Sequence, residues 1–284
     1  MTDLPRDFDR DGLLEHSVVF TDRSLNHMSK RFQQVMRDIS SNLKQVYNAH
    51  SVTVVPGGGS FGMEAVARQF ATGQHCLVIR NGFFSYRWSQ IFEMGSIPSK
   101  ETVLKASPTS DQPQAPFAPA PIEQVVATIK AEKPAMVFAP HVETASGIIL
   151  PDDYLKQVAD AVHSVGGLFV LDCIASGTIW VDMKAIGVDV LISAPQKGWS
   201  SSPCSALVML SEAADQRLHE TTSTSFACDL RKWRDIMIAY ENGGHAYHAT
   251  MPTDALRGFR DTMLETMKEG LTAVKERQWK LGTA

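Results

Sequence analysis

A lysine and an aspartate follow two short apolar segments of this chain. Residues 167–172 (GLFVLD) and 188–193 (VDVLIS) each have the pattern of a buried parallel strand, with a short connecting element at residues 181–186. Asp172 ends the first segment, and Lys197 lies 25 positions later, just beyond the second. Because ligands bind beyond the carboxyl ends of parallel strands, we expect both side chains to line one crevice. A lysine amine there can form a Schiff base and an aspartate can hold a pyridine nitrogen protonated, so the pair suggests pyridoxal 5′-phosphate.

Each of these two residues also has an ordinary structural interpretation. An acidic residue at the end of a strand commonly caps the helix that follows, and a lysine after a strand is usually solvated surface. Neither residue is specific by itself. The hypothesis therefore depends on whether other predicted strand ends add groups of matching chemistry.

A glycine-rich turn at residues 57–59 follows a strand predicted at residues 51–55 and precedes a helix predicted at residues 62–70. Such a turn lets backbone amides approach an anion at the positive end of the helix. The same glycines are also explained by a strand-to-helix turn that needs a positive φ. Because the turn matches neither the GxGxxG nor the Walker pattern, a small phosphate is favoured over a nucleotide.

Two more segments that could contact a cofactor follow predicted strands. Residues 141–147 (HVETASG) come after a strand at 135–140 and could contact a ring oxygen, although a polar turn capped by its own hydroxyls explains them as well. Residues 81–87 (NGFFSYR) come after a strand at 76–79 and offer rings that could stack on a flat cofactor, although aromatic residues more often pack in a core. Both segments are ambiguous when taken alone.

Helices and strands alternate along the chain. Apolar residues recur at helical spacing over residues 29–47, and further helices are predicted at 83–94, 121–131 and 152–165, with a surface loop at 107–121. This alternation predicts an α/β fold with a doubly wound, mostly parallel sheet.

The pattern divides the chain into three parts. Residues 1–20 are polar and acidic and are interpreted as an N-terminal arm, and residues 21–255 are interpreted as the cofactor-binding large domain. Residues 256–284 contain most of a long helix predicted at residues 252–280.

Length and composition exclude several classes of protein. The chain has 284 residues, a net charge of −4 and 44% hydrophobic residues, with no basic stripe for nucleic acid. No apolar run approaches the roughly 18 residues that a membrane helix needs, and the charged N-terminus is unlike a signal peptide. The four cysteines show neither zinc-binding nor disulfide spacing. We therefore expect a cytoplasmic protein that binds neither nucleic acid, membrane nor metal.

Five motifs occur in the order found in a known family: PGGGSFGMEA (residues 56–65), NGFF (81–84), HVETASG (141–147), DCIAS (172–176) and SAPQKG (193–198). From about residue 54 onward the chain resembles the fold-type I, class V aminotransferases. More narrowly, it resembles the group that contains the alanine:glyoxylate and serine:glyoxylate (serine:pyruvate) aminotransferases. The resemblance implies the large domain of the fold-type I pyridoxal-phosphate transferases.

The resemblance also implies roles for individual residues. Lys197 would form the Schiff base, and Asp172 would pair with the pyridine nitrogen. The other residues of this chain implied to contact the cofactor are Gly58, Gly59, Ser60, Phe84, Thr144, Ile174 and Gln196. The segment GGHAYHATMP (residues 243–252) resembles one from which Tyr247 and Thr250 reach the phosphate bound by the neighbouring subunit, which implies a homodimer with shared active sites.

The implied activity is transamination. An amino group would pass from a small amino acid, alanine or serine, to a 2-oxo acid, glyoxylate or pyruvate, in a ping-pong cycle with Lys197 as the general base. Two features depart from the family. The interval from Asp172 to Lys197 is one residue shorter, and the chain ends before the small C-terminal domain that normally supplies an arginine for the substrate carboxylate.

Those departures leave alternatives open. From sequence, none of Arg87, Arg231 and Arg257 can be assigned to the substrate carboxylate. A lyase or desulfurase of the same fold is one alternative, and a truncated chain that binds pyridoxal phosphate without efficient catalysis is the other.

Overall fold

A central β-sheet organises the described part of the chain. The computed structural model describes residues 25–284, so the arm predicted at residues 1–20 lies outside the described residues. The sheet has seven strands: β1 (Ser51–Pro56), β2 (His75–Arg80), β3 (Lys100–Lys105), β4 (Met136–Pro140), β5 (Leu168–Asp172), β6 (Val190–Ser193) and β7 (Ser205–Leu210). Their order across the sheet is β1-β7-β6-β5-β4-β2-β3. In this sheet β7 runs in the direction opposite to the other six strands, so the sheet is mostly parallel, as predicted.

Residues 25–284 also form ten α-helices: α1 (Lys30–Tyr47), α2 (Gly59–Val66), α3 (Phe83–Gly95), α4 (Ile122–Glu132), α5 (Asp152–Ser164), α6 (Met183–Ile186), α7 (Glu212–Glu220), α8 (Leu230–Glu241), α9 (Thr253–Glu269) and α10 (Leu271–Thr283). Every residue of β4, β5, β6 and β7 is buried. Parallel strands buried on both faces need helices on both sides, which is the α/β architecture that the sequence predicts. None of these helices is long and apolar enough to span a membrane.

Helix α1 shows how the sequence produces such an element. Ser29 caps its N-terminus by accepting a hydrogen bond from the amide of Phe32, and Asn48 ends it with a φ of 52°. Between these caps, apolar residues recur at helical spacing and are completely buried; they are Phe32, Val35, Met36, Ile39 and Leu43. This apolar face packs against α8 and α9.

The structure adds elements that the sequence analysis does not predict, namely β3, β7, α7 and α8. Strand β3 (KETVLK) lies at the edge of the sheet and is largely exposed, so it lacks the apolar pattern of a buried strand. The helix predicted at residues 62–70 begins earlier, at Gly59, and continues as a π-helical turn at Ala67–Ala71. The loop predicted at residues 107–121 contains a short strand pairing, Ser107–Pro108 with Phe117–Ala118.

The single helix predicted at residues 252–280 is wrong, because the segment forms two helices that meet at Gly270. Gly270 has a φ of 104° and a ψ of 122°, whereas a helical residue needs a φ near −63°. Glycine adopts such a conformation without the steric cost of a Cβ atom. The chain therefore changes direction between α9 and α10.

Helix α10 is hydrogen-bonded to the loop at residues 174–180, which follows β5. The Gln278 side chain accepts hydrogen bonds from the amide of Thr178 at 2.5 Å and from its hydroxyl at 2.8 Å, and donates one to the carbonyl of Ser176 at 3.0 Å. The indole N–H of Trp180 donates to the carbonyl of Leu271 at 3.2 Å. One side chain of α10 thus satisfies several polar groups of this loop.

A buried carboxylate at the other edge of the sheet joins α5, β5 and the start of α7. Asp189 is 4% exposed. Its oxygens lie 2.8 Å from Nε2 of His163, 2.8 Å from the amide of Phe169 and 2.9 Å from the hydroxyl of Ser211. The hydrogen bond to Asp189 is the main reason why the pKa of His163 is raised. In the unfolded chain that pKa returns to about 6.5.

Replacing His163 with glutamine should therefore cost an amount of stability that depends on pH. Because the folded pKa lies above the unfolded one, the contribution is fully present below about pH 6.5 and is lost as the pH rises through the folded pKa. Chemical denaturation should show the difference in unfolding free energy between wild type and His163→Gln shrinking as the pH rises. His219 is exposed and provides the control variant His219→Gln. A difference that stays constant with pH would contradict this account.

Candidate active site

Asp172 and Lys197 lie beyond the same edge of the sheet. Asp172 is the last residue of β5, and Lys197 follows the end of β6 at Ser193. Since β5 and β6 are parallel neighbours, their carboxyl ends meet at this edge. Both residues line a cavity of about 210 Å³. Six other residues that the sequence analysis names as cofactor contacts also line it: Gly59, Ser60, Phe84, Thr144, Ile174 and Gln196.

The Asp172 carboxylate is withdrawn from water. The residue is 7% exposed, and within residues 25–284 it accepts one hydrogen bond, from the amide of Ile174 at 2.9 Å. Burial raises the pKa of Asp172 to about 6, although the Ile174 amide and the nearby charges of Arg87 and Lys197 act in the opposite direction. A buried carboxylate with a spare oxygen is stabilised by a positively charged partner, which replaces the lost hydration.

Close packing fixes the turn that carries Lys197. Trp199 is fully buried, and its ring centroid lies 4.7 Å from that of Trp180. Gly198 passes so close to Gly177 that an added Cβ atom would lie 2.1 Å from the Gly177 carbonyl oxygen. The Lys197 side chain itself is exposed and lines the cavity. An exposed amine on a fixed turn is suited to attack a carbonyl group held in the cavity.

The first residues of α2 supply backbone amides to the cavity. Gly59 and Ser60 begin this helix and line the cavity, and Gly58 is the N-cap. The first amides of a helix have no carbonyl partner within the helix, so they are available to bind an anion. A side chain at Gly59 would collide with Ile174, because an added Cβ atom would lie 2.5 Å from its Cδ1 atom. The glycine therefore lets the helix end approach the loop after β5.

Three further side chains reach the cavity from different segments. Phe84, in the first turn of α3, is 37% exposed, and Thr144 lies just after the two-residue strand Val142–Glu143. Gln196 immediately precedes Lys197, and its Oε1 atom is buried without a hydrogen-bond partner in the described part of the chain. Because an unpaired buried polar atom is costly, its presence here favours a bound ligand with polar groups.

A buried glutamate, to which the sequence analysis assigns no role, connects two of these segments. Glu143 is 0% exposed and accepts hydrogen bonds from the amide of Phe84 at 3.1 Å and the amide of Ser85 at 2.8 Å. The Ser85 hydroxyl donates a third, at 2.7 Å. Glu143 does for α3 what a capping side chain would do, since Gly82 at the N-cap has none. It therefore holds Phe84 beside the turn that carries Thr144.

Replacing Glu143 with alanine should lower the free energy of unfolding by about 2–3 kcal/mol, because the amides of Phe84 and Ser85 would lose their acceptor inside the protein. Urea denaturation of the purified variant measures this. Glu123 is also in the first turn of a helix but is exposed, so Glu123→Ala is the matched control. Equal losses in the two variants would show that Glu143 does not have the proposed structural role.

Tyr247 and Thr250 lie away from the cavity that contains Lys197. They line a different cavity of about 330 Å³, and Tyr247 is 66% exposed. Their hydroxyl oxygens are 3.5 Å apart. The structure thus groups these two predicted residues with each other but not with the Lys197 site of the same chain.

A larger cavity, of about 730 Å³, lies at the opposite edge of the sheet near Asp189 and Ser211. It opens at the amino ends of β1 and β6, whereas open α/β sheets place ligands at the carboxyl ends. Volume alone therefore does not identify the active site; the pairing of Lys197 with Asp172 does. Within residues 25–284, no three or more His, Cys, Asp or Glu side chains lie close enough together to hold a metal ion.

The groups around the Lys197 cavity fit pyridoxal 5′-phosphate. The exposed amine of Lys197 can form a Schiff base with the aldehyde, and the buried carboxylate of Asp172, which has a spare oxygen, can pair with the protonated pyridine nitrogen. Unpaired helix amides can take the phosphate, and the buried Oε1 atom of Gln196 needs a polar neighbour. These groups come from three separate segments of the chain, and their residues line one cavity.

Comparison with known proteins identifies the family to which this chain belongs. Residues 11–283 match the family described as aminotransferase class V. The alanine–glyoxylate aminotransferase of Felis catus is 26% identical over 264 residues, with 90% of this chain and 59% of the cat protein covered. The L-aspartate–glyoxylate aminotransferase of Paracoccus denitrificans is 24% identical over 263 residues, with 92% of this chain and 63% of that protein covered.

The fold is also found in a solved structure. The alanine–glyoxylate aminotransferase from Nostoc sp. has a TM-score of 0.77 at 24% identity, with 90% of this chain and 65% of that one covered. This chain therefore spans less than two thirds of the length of each of these three proteins. The family match extends over nearly the whole chain, so this protein belongs to the class-V aminotransferases.

Proposed function

We propose that this chain is a pyridoxal-phosphate-dependent transaminase that moves an amino group from a small amino acid, alanine or serine, to a 2-oxo acid, glyoxylate or pyruvate. The observation that carries the proposal is the cavity shared by Lys197, Asp172 and the first amides of α2. The names of the cat and Paracoccus relatives share glyoxylate and differ in the amino acid, which supports glyoxylate more strongly than any one donor.

Two residues would perform the chemistry. When bound, pyridoxal phosphate supplies an electron sink that makes the Cα–H bond of an amino acid acidic. Asp172 would hold a proton on the pyridine nitrogen. Lys197 would hold the cofactor covalently until the amino group of the substrate displaces the lysine amine. The freed Lys197 would then take the proton from the substrate Cα and deliver that proton to the C4′ carbon. Since the amino group is held between the two half-reactions, the kinetics would be ping-pong.

The remaining residues would bind and orient the cofactor. Amides at Gly58, Gly59 and Ser60 would contact the phosphate, together with Gln196. The ring would lie between Phe84 and Ile174, and Thr144 would bind the phenolic oxygen. Residues 21–255 would thus form the cofactor-binding domain.

A homodimer with shared active sites is part of the proposal. Tyr247 is exposed, and both Tyr247 and Thr250 lie outside their own chain's Lys197 cavity, which supports a role at the site of a neighbouring subunit. Light scattering of the purified protein would measure the oligomeric state. We also propose a cytoplasmic location, which the four free cysteines support.

Absorption spectra of the purified protein with pyridoxal phosphate test the function directly. A visible band should form, shift to shorter wavelength on addition of L-alanine or L-serine, and return on addition of glyoxylate. A visible band that forms but is not shifted by any amino acid would instead identify a chain that binds the cofactor without catalysis. Formation of L-alanine from L-cysteine, with sulfide released only when a dithiol reductant is added, would identify a desulfurase.

A further inference from the structure

Arg87 is a cation of the active-site cavity that forms no ion pair within the described residues. Arg87 lies on α3 one turn after Phe84 and lines the cavity together with Lys197 and Asp172. Among residues 25–284, six other arginines form ion pairs with a carboxylate, whereas Arg87 forms none; the six are Arg68, Arg217, Arg234, Arg257, Arg260 and Arg277. A half-buried guanidinium beside a ligand cavity is therefore available to an anionic ligand.

Two contacts fix where this guanidinium lies. Its Nη1 atom donates a hydrogen bond to the hydroxyl of Ser60 at 2.8 Å, and its central carbon is 5.5 Å from the centroid of the Phe84 ring. Ser60 belongs to the first turn of α2, so Arg87 is held at the helix end where unpaired amides face the cavity. The other two arginines that the sequence leaves unassigned, Arg231 and Arg257, do not line this cavity.

We infer that Arg87 binds the phosphate group of the cofactor together with the amides at the start of α2. An arginine presents several N–H donors in a planar fork, and only one of them is used by Ser60. The helix end adds further donors and a partial positive charge. This inference rests on the proposed function, because it assumes that pyridoxal phosphate occupies the cavity.

The substrate carboxylate is the other anion that Arg87 could bind. The Ser60 contact favours phosphate, because it ties the guanidinium to the helix end that the cofactor phosphate would occupy. The two ligands make different predictions. A phosphate ligand makes Arg87 important for binding the cofactor, whereas a carboxylate ligand makes it important only for the KM of the amino acid.

The test compares pyridoxal 5′-phosphate with pyridoxal, which lacks the phosphate, as ligands of the full-length apoprotein. Tryptophan fluorescence would measure both affinities for wild type, Arg87→Gln and Arg87→Lys. We expect Arg87→Gln to weaken pyridoxal 5′-phosphate binding roughly 10- to 100-fold while pyridoxal binding changes less than about threefold. Arg87→Lys keeps the charge without the fork and should fall between wild type and Arg87→Gln.

Arg231 is exposed and forms no ion pair within the described residues, so Arg231→Gln is the matched control and should bind both ligands like wild type. Inorganic phosphate should compete with pyridoxal 5′-phosphate in wild type and compete more weakly in Arg87→Gln. The inference would be overturned if Arg87→Gln weakened the binding of both ligands equally or weakened the binding of neither. If Arg87→Gln does not fold, Arg87→Lys gives the same comparison. A raised KM for the amino acid with unchanged cofactor affinity would assign Arg87 to the carboxylate instead.

Failure of the proposed transaminase function can be distinguished from failure of the inference about Arg87. If wild type binds pyridoxal 5′-phosphate but does not transaminate, the inference about Arg87 stands and the catalytic proposal fails. If wild type does not bind pyridoxal 5′-phosphate at all, both fail.

Discussion

Replacing Lys197 with alanine should abolish transamination, lowering kcat/KM by roughly 10⁴-fold or more. The amine is expected both to hold the cofactor and to move the proton between the substrate Cα and the C4′ carbon, so a methyl group removes two functions at once. A coupled assay that follows glycine formation from alanine and glyoxylate measures the loss. Borohydride reduction followed by peptide mapping should fix the cofactor on Lys197 in wild type and leave the variant unlabelled.

The fold of the Lys197→Ala variant should be unaffected, because this side chain is exposed and its turn is held by Trp199 and Gly198. Lys156 is an exposed lysine paired with Asp160 on the surface, so Lys156→Ala is the matched control. Continued labelling of the Lys197→Ala protein by borohydride at another lysine, with activity retained, would show that the lysine is wrongly assigned.

Replacing Asp172 with asparagine should lower kcat by roughly 10³-fold. Two opposite charges about 4 Å apart, here a carboxylate and a protonated pyridine nitrogen, attract each other by about 4 kcal/mol at an effective dielectric constant of about 20. A neutral amide at position 172 would lose most of this stabilisation. The amide has nearly the same shape and can still accept the hydrogen bond from the Ile174 amide. The loss should therefore fall on catalysis and on the pH dependence of cofactor binding rather than on the fold.

Stability of the apoprotein distinguishes this role from a structural one. Since burial raises the pKa of Asp172 to about 6, an ionised Asp172 destabilises the folded apoprotein above about pH 6, and the penalty fades as the pH falls toward about 4. Asp172→Asn removes this penalty and should be at least as stable as wild type at neutral pH. The exposed Asp160 gives the control Asp160→Asn. An unfolded Asp172→Asn protein, or one with normal turnover, would contradict the assignment.

Much of the site is predictable from sequence because it depends on strand ends. Short apolar segments predict β5 and β6, and the parallel arrangement then places Asp172 and Lys197 at one edge without any knowledge of side-chain packing. The glycine turn before α2 is predictable for the same reason. In contrast, β7 is a short, mostly apolar segment, and periodicity alone does not distinguish such a segment from a buried helix.

The sequence does not predict which polar side chains of the site are buried or which partners they have, because both depend on contacts between segments distant in sequence. Nothing in the motif HVETASG shows that Glu143 is fully buried and bound to the start of α3, because that depends on a contact 58 or 59 residues away in sequence. A signal for Arg87 does exist. It lies three positions after Phe84, and residues three apart on a helix share a face. That Arg87 forms no ion pair with the described residues, however, is visible only in the structure.

The hydrogen bonds of Gln278 couple helix α10 to a loop that forms one wall of the Lys197 cavity. The loop at residues 174–180 begins two residues after Asp172, carries Ile174 into the cavity and touches Gly198 next to Lys197. Detaching α10 would leave the amide and hydroxyl of Thr178 and the carbonyl of Ser176 without partners. We therefore expect helix α10 and this wall of the cavity to unfold locally as one unit, with amide hydrogens in the two exchanging with solvent together.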